Sequence, residues 1–254
     1  AGNTQTLPKP FSFDNGAGLL FKYFPYPGDG MGYSPFENAI VNFNPLSFDA
    51  NGNILSKLTI INPTTSYAYA DEANVTLLNF NQNDELHWGY WETDIGGGVM
   101  LDVPWIVGIQ TPVDIIENAH LNNTQLSFSG KVIGQVENIQ TGNFSYITQD
   151  SFNNFTANID FGGGSTNIDG TIQFNDGFNN QWKGSLSGYT LQQNPNFAGT
   201  ISNDNSSFNT LNGDFDGNIY GSETITAIGG SFGMTGYNGS DGFRATGVFK
   251  AGVQ

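Results

Sequence analysis

From Leu126 to Phe249 the chain alternates large apolar residues or glycine with polar residues in eight short runs. These are Leu126–Val132, Phe155–Phe161, Ile168–Phe174, Trp182–Gly188, Phe197–Ile201, Leu211–Ile219, Ile228–Met234 and Phe243–Phe249. A period of two is the mark of a β-strand with one apolar and one wet face. Turn residues fall at Asp176-Gly177, Asn238-Gly239 and Asp241-Gly242. Eight antiparallel strands sharing an apolar face predict a closed barrel, because closure removes the edges an open sheet must protect. At that strand number the interior holds side chains or one small ligand. Glycine alternating with Phe or Ile on the inward face predicts a narrow, filled barrel, a scaffold with no site inside it.

The first half has a different texture. Residues 1–10 carry two prolines and no pattern, which predicts an extended arm. From Phe11 to Phe48 aromatic residues are packed among Gly and Pro, and Phe21–Tyr33 is too broken for a helix or a long strand. Two readings of that stretch stand side by side. Its rings plug a small core, or they form a lid over a flat apolar ligand, since aromatic side chains give large contact area at little entropic cost. Strand-like runs resume at Ile54–Asn62, Ala73–Phe80, Glu85–Trp91 and Val103–Pro112, with Gly96-Gly97-Gly98 between the last two. Val113–His120 suits one or two helical turns. The expected fold is therefore mainly all-β, with an N-terminal ligand-binding domain over 1–120 and an eight-stranded antiparallel β-barrel over 121–254. The change of character falls between residues 110 and 124.

Composition narrows the function. The 254 residues contain no cysteine, so no disulfide or thiolate-held metal supports the fold. Seven basic residues stand against 23 acidic ones, a net charge of −16, which argues against nucleic acid and anionic lipid as partners. No apolar run approaches the ~20 residues of a membrane-spanning helix. The chain begins at Ala1 without a charged, apolar leader, and its polar positions are mostly Asn, Ser, Thr and Gln. The expectation is a mature secreted protein whose signal peptide has been removed. Nucleotide loops and serine elbows are absent, and two histidines with no cysteine leave little from which to build a hydrolase. A non-enzymatic protein is expected, a paired-carboxylate glycosidase being the enzyme class that composition leaves open. Asn212, Asp214, Asp216 and Asn218 alternate on one strand face, ~6.5–7 Å apart for next-but-one neighbours. Calcium needs six to eight converging oxygens, so this is read as a wet face.

Several stretches resemble a known group. Trp88-Gly89-Tyr90-Trp91, Trp105-Ile106-Val107-Gly108, Thr111-Pro112 and Ser129-Gly130-Lys131-Val132 are similar to slam-dependent secreted and surface proteins of Gram-negative bacteria. So is the ending, Gly229-Gly230-Ser231-Phe232 followed by Ala245-Thr246-Gly247-Val248-Phe249. The resemblance covers roughly residues 85–254 and implies a transferrin-binding-protein-type barrel. Within that group the chain looks most like the hemophilins, small soluble haem scavengers, by its length, its lack of a lipobox cysteine and a histidine at the domain junction. The resemblance implies haem b as cofactor, a TonB-dependent outer-membrane receptor to accept it and a slam-type translocator during secretion. It implies His120 as an axial ligand, with His87 as the second candidate. The first 84 residues carry no motif of the group.

The residues alone leave these sites open. Neutral imidazole is the usual protein ligand of haem iron. His120 follows Val113, Ile115 and Ile116 and sits where a short helical turn would aim it at the junction; its plain alternative is a histidine hydrogen-bonded to backbone. His87 lies between Leu86 and Trp88 and alternates with both, as a solvent-facing strand residue would. Propionates want a cationic partner, and Lys22, inside the aromatic stretch, is the candidate. Tyr23, Tyr26, Tyr33 and Phe36 would give the macrocycle its cover. Two other classes remain: a carrier of another apolar ligand, such as a carotenoid, and a module binding a host protein through strand edges of the first domain.

Overall fold

The computed structural model describes residues 100–162, 166–190 and 194–254 and, before them, six short strand segments. Those segments are β1 (Gln5–Thr6), β2 (Ile40–Phe43), β3 (Ser47–Phe48), β4 (Leu58–Ile61), β5 (Asn74–Leu77) and β6 (Leu86–Asp94). Strand β7 (Met100–Gly108) follows. β1 pairs with β3 and β2 with β4, while β5, β6 and β7 form a three-stranded antiparallel sheet. In the β6–β7 hairpin Asp94 is paired to Met100. Strands β2 and β3 lie within Phe11–Phe48, after the irregular Phe21–Tyr33, where the sequence pattern predicts no strand.

Helix α1 (Val113–Leu121) starts directly after Pro112, whose carbonyl accepts from the amides of Ile115 (3.1 Å) and Ile116 (3.3 Å). Proline is tolerated there because the first turn has no use for its missing N–H. Asp114 in the first turn matches the sign of the helix dipole. The helix stops at Asn123, which adopts a left-handed φ of 48°, a conformation asparagine accepts more readily than most residues.

The remaining strands are β8 (Gln125–Asn138), β9 (Phe144–Tyr146), β10 (Asn154–Asp160), β11 (Thr166–Asn175), β12 (Gln181–Thr190), β13 (Asn196–Asn203), β14 (Thr210–Tyr220), β15 (Ala227–Asn238) and β16 (Asp241–Val253). β10 to β16 pair antiparallel in chain order, and β8 closes the ring by pairing with both β16 and β10. Eight strands thus form a closed antiparallel barrel, and they coincide with the eight alternating runs. β9 is a ninth strand that the pattern did not reveal. It pairs along the second half of β8, at Gln135–Glu137, beyond the point where β10 has left. Between the two, the side chain of Asn153 stands in for a strand: its Oδ1 accepts from the Val132 amide (3.0 Å) and its Nδ2 donates to the carbonyls of Val132 (2.8 Å) and Thr148 (3.1 Å).

The interior is filled with aromatic rings. Phe155 stacks on Phe249 at 4.2 Å, Trp182 meets Phe208 at 4.4 Å, and Phe174 lies between Trp182 and Phe232. Glycine makes room for them. A Cβ on Gly247 would stand 2.1 Å from the Ile133 carbonyl and 2.9 Å from the Phe232 ring. Helix α1 contributes to the same core, with Ile116 and Ala119 buried in the barrel's apolar cluster. Polar groups within the core are partnered: the Trp182 indole donates to Asp176 Oδ2 at 2.8 Å, and Asp176 also accepts from the Phe178 and Asn180 amides.

A second apolar cluster lies on the outside of the barrel. Leu86, Trp88 and Ile106 of the β6–β7 hairpin pack against Ile133, Tyr220, Ala227 and Val248. Gly229 is the seat: a Cβ there would come within 2.4 Å of Ile106 Cδ1 and 3.1 Å of Leu86 Cδ2. The linker continues the attachment, with Thr111 donating to the Ile219 carbonyl (2.9 Å) and Gly221 to that of Ile109 (3.0 Å).

Candidate functional site

His120 is the one sequence-predicted site residue whose side chain the structure describes. It projects from the last turn of α1 to the end of the β10–β11 hairpin. Its Nδ1 lies 2.7 Å from the Phe161 carbonyl and its Nε2 3.0 Å from Thr166 Oγ1. A carbonyl only accepts, so Nδ1 carries the proton and Nε2 accepts from the threonine hydroxyl. The Phe161 ring meets the imidazole edge-on at 5.4 Å and 87°. Phe161 and Thr166 are buried, while His120 is partly exposed. The local frame is tight. The Phe161 amide donates to the Thr124 carbonyl (3.0 Å), and Thr124 donates back to Ala119 (2.9 Å). Asp160 Oδ1 accepts from the Gly162 amide at 2.8 Å, and its Oδ2 accepts from Gln125 at 3.1 Å.

This arrangement holds an imidazole with both nitrogens engaged. Metal-binding histidines commonly give their second N–H to a backbone carbonyl, which fixes tautomer and ring orientation. The Phe161 carbonyl plays that part here. Nε2 is the nitrogen that would face a metal, and in this structure the Thr166 hydroxyl holds it. The ring is thus oriented, and Nε2 could take another partner only in place of Thr166. The sequence reading had no signal for Thr166, and it knew Phe161 only as an inward-facing strand residue.

The other candidates are not brought to this point by the described structure. His87 stands in β6 in register with Val107, and its side chain lies outside the described residues. Lys22, Tyr23, Tyr26, Tyr33 and Phe36, the whole aromatic stretch, lie outside them as well. Among the described residues no group of three or more His, Asp or Glu could hold a metal ion, and no helix is long and apolar enough to cross a membrane. On the Asn212–Asn218 face, Asp216 accepts from Ser231 (2.8 Å) and Asn218 from Gln110 (2.8 Å).

The chain matches transferrin-binding protein B from Neisseria meningitidis with a TM-score of 0.50 at 15% identity, over 84% of this chain and 41% of that one. The fold is like that of transferrin-binding protein B. Transferrin-binding protein B from Haemophilus parasuis matches with a TM-score of 0.47 at 14% identity, over 84% of this chain and 47% of that one. The haemoglobin receptor HpuA from Kingella denitrificans matches with a TM-score of 0.47 at 14% identity, over 96% of this chain and 88% of that one. The chain thus spans less than half the length of the transferrin-binding proteins it matches. No family model and no curated protein matches the sequence.

Proposed function

We propose that this chain is a secreted, non-enzymatic haem-binding protein that takes up haem b and passes it to a TonB-dependent outer-membrane receptor, after export by a slam-type translocator. The observation that carries this reading is the oriented imidazole of His120, whose Nδ1–H rests on the Phe161 carbonyl. The filled barrel supports it indirectly, because a macrocycle finds no room among Phe155, Phe174, Trp182, Phe232 and Phe249, each at most 1% exposed. Any ligand then belongs at the junction or in the N-terminal half. The motif resemblance and the transferrin-binding-protein B fold are consistent with a role in iron acquisition. When bound, haem would supply the iron and a flat apolar surface; His120 would hold it through Nε2, in place of the bond that Thr166 makes here. Tyr23, Tyr26, Tyr33 and Phe36 cover the ring, Lys22 pairs a propionate, and His87 is the candidate second ligand.

A second reading is favoured by the bond between Nε2 and Thr166. His120 is then a clamp between helix and barrel, and the chain is a module that binds a host protein, as the name of transferrin-binding protein B says of that protein. A visible spectrum of the haemin-treated protein separates the readings. A Soret band is expected, and His120→Ala shifts it and speeds haem loss at least tenfold, or ~1.4 kcal/mol. Thr166→Val, which frees Nε2, preserves or tightens binding. Equal effects of His120→Ala and His87→Ala mean two histidine ligands; no effect of either moves the ligand to a tyrosinate of residues 23–33. A polyene band in the purified protein means a carotenoid carrier, and no band at all leaves the host-protein module.

A further inference from the structure

We infer that the outer face of the barrel around Tyr189 is a binding site for a neutral sugar, with a pyranose ring stacked on the tyrosine. Tyr189 is 64% exposed on β12. In register beside it stand Asn167 of β11 and Ala198 of β13. Two residues along the strands, on the same outward face, the next row is Asp169, Ser187 and Thr200. All six are exposed.

A single exposed ring on a protein surface is ordinary; its surroundings set this one apart. The face extends over β8 and β10 to β14 as three cross-strand rows, through Tyr189, Ser187 and Ser185. No Lys, Arg or Glu occurs in these rows, and apart from Tyr189 and Ala198 every position is Ser, Thr, Asn, Gln or Asp. Surfaces usually intersperse charges of both signs. Here the side chains are short, so holding them in place costs little rotamer entropy. Cross-strand bonds already fix several of them. Ser127 donates to Asn158 Oδ1 (2.8 Å), Asn158 Nδ2 donates to Asp169 Oδ2 (3.3 Å), and the Thr156 and Thr171 hydroxyls meet at 2.9 Å. On β12 the next outward residue beyond Ser185 is Lys183, and it is paired with Asp204 at 3.1 Å.

A sugar ring offers C–H groups on its face and hydroxyls on its rim, each hydroxyl both donor and acceptor. Tyr189 supplies an apolar platform at little entropic cost. Around it Asn167, Ser187 and Thr200 can donate and accept, and Asp169 accepts. Ala198 is too small to cover the ring of its neighbour. An anionic ligand would meet carboxylates and no cation on these rows. A protein partner would want an apolar core, which one tyrosine and one alanine do not make. An uncharged, hydroxyl-rich ligand meets neither obstacle. The site makes no use of His120 and is independent of the haem reading.

Affinity electrophoresis of the full-length protein tests it, in native gels cast with dextran, mannan or galactan and, as the anionic control, dextran sulfate. At least one of the three neutral polysaccharides should retard the wild type. Tyr189→Ala should weaken that binding roughly fivefold, while Tyr189→Phe, which keeps the ring, retains it. Ala198→Glu, which crowds the ring with a carboxylate, should weaken it as well. These substitutions change exposed side chains, and an unaltered unfolding midpoint shows the barrel intact. The inference is overturned if none of the neutral polysaccharides retards the wild type, whether or not dextran sulfate does. It is equally overturned if Tyr189→Ala is retarded as strongly as the wild type.

Discussion

At the scale of single residues, Asn153 and Tyr220 show opposite treatments of a buried polar group. Asn153 is fully buried and spends its amide on Val132 and Thr148, replacing a stretch of strand pairing that β10 no longer provides. Asn153→Ala leaves the Val132 amide and the Thr148 carbonyl short of a partner, the Val132 carbonyl keeping Gln149 Nε2 at 2.9 Å, and should cost about 1–3 kcal/mol in denaturant unfolding. Nothing in the sequence marks Asn153, one Asn among many in a polar loop, because its role depends on where β8 and β10 part. The Tyr220 hydroxyl is buried with no well-formed hydrogen bond, and burial pushes its phenol far above the ordinary 10.0, the Asn218 side chain offsetting only part of the rise. A raised pKa in the folded state gives a contribution that is complete below pH 10 and declines above it, as the unfolded chain ionises and the folded one does not. Stability should fall above pH 10 by up to ~1.4 kcal/mol per pH unit from this residue. Tyr220→Phe should flatten that limb of the pH–stability profile. An unchanged limb would mean that other tyrosines govern it.

At the scale of elements, the alternating runs made the barrel legible because a sheet with one buried face records its geometry every second residue. Four runs also carry an apolar residue out of step: Ile133 after Val132, Tyr220 after Ile219, Ala227 before Ile228 and Val248 before Phe249. These four are the barrel's half of the outer cluster. The doublets were visible in the sequence, yet their meaning was not, since a second buried face is defined only by the element that covers it. Gly229 and Gly230 show the same division, one seating Ile106 and the other allowing close approach to β14. Gly229→Val should unseat the hairpin and shift Trp88 fluorescence toward that of an exposed indole. Unshifted emission would mean that the hairpin tolerates a displaced Ile106. His120 was legible as a junction residue through the helical spacing of Val113–His120. Its engagement with Thr166 was not, because forty-six residues and a hairpin separate them.

At the scale of the whole molecule, the closed ring of strands and the apolar helix face make one cooperative unit. Ile116 and Ala119 close into the barrel core, so a fragment that keeps the helix retains every described residue of that core. Residues 109–254 should therefore fold alone with a single unfolding transition, the losses being those of the outer cluster. A fragment that expresses only as a molten species would show that the hairpin is needed to complete the barrel. On the proposed reading the barrel is a scaffold, and haem chemistry belongs at the junction and beyond it toward the N-terminus. Most direct is a haemin titration followed at the Soret band, run in parallel on the full chain and on residues 109–254. A tight, saturable Soret change in the full chain, reduced at least tenfold in affinity in the fragment, is the predicted result. Equal binding by the fragment, or no haemin binding by the full chain, would contradict it.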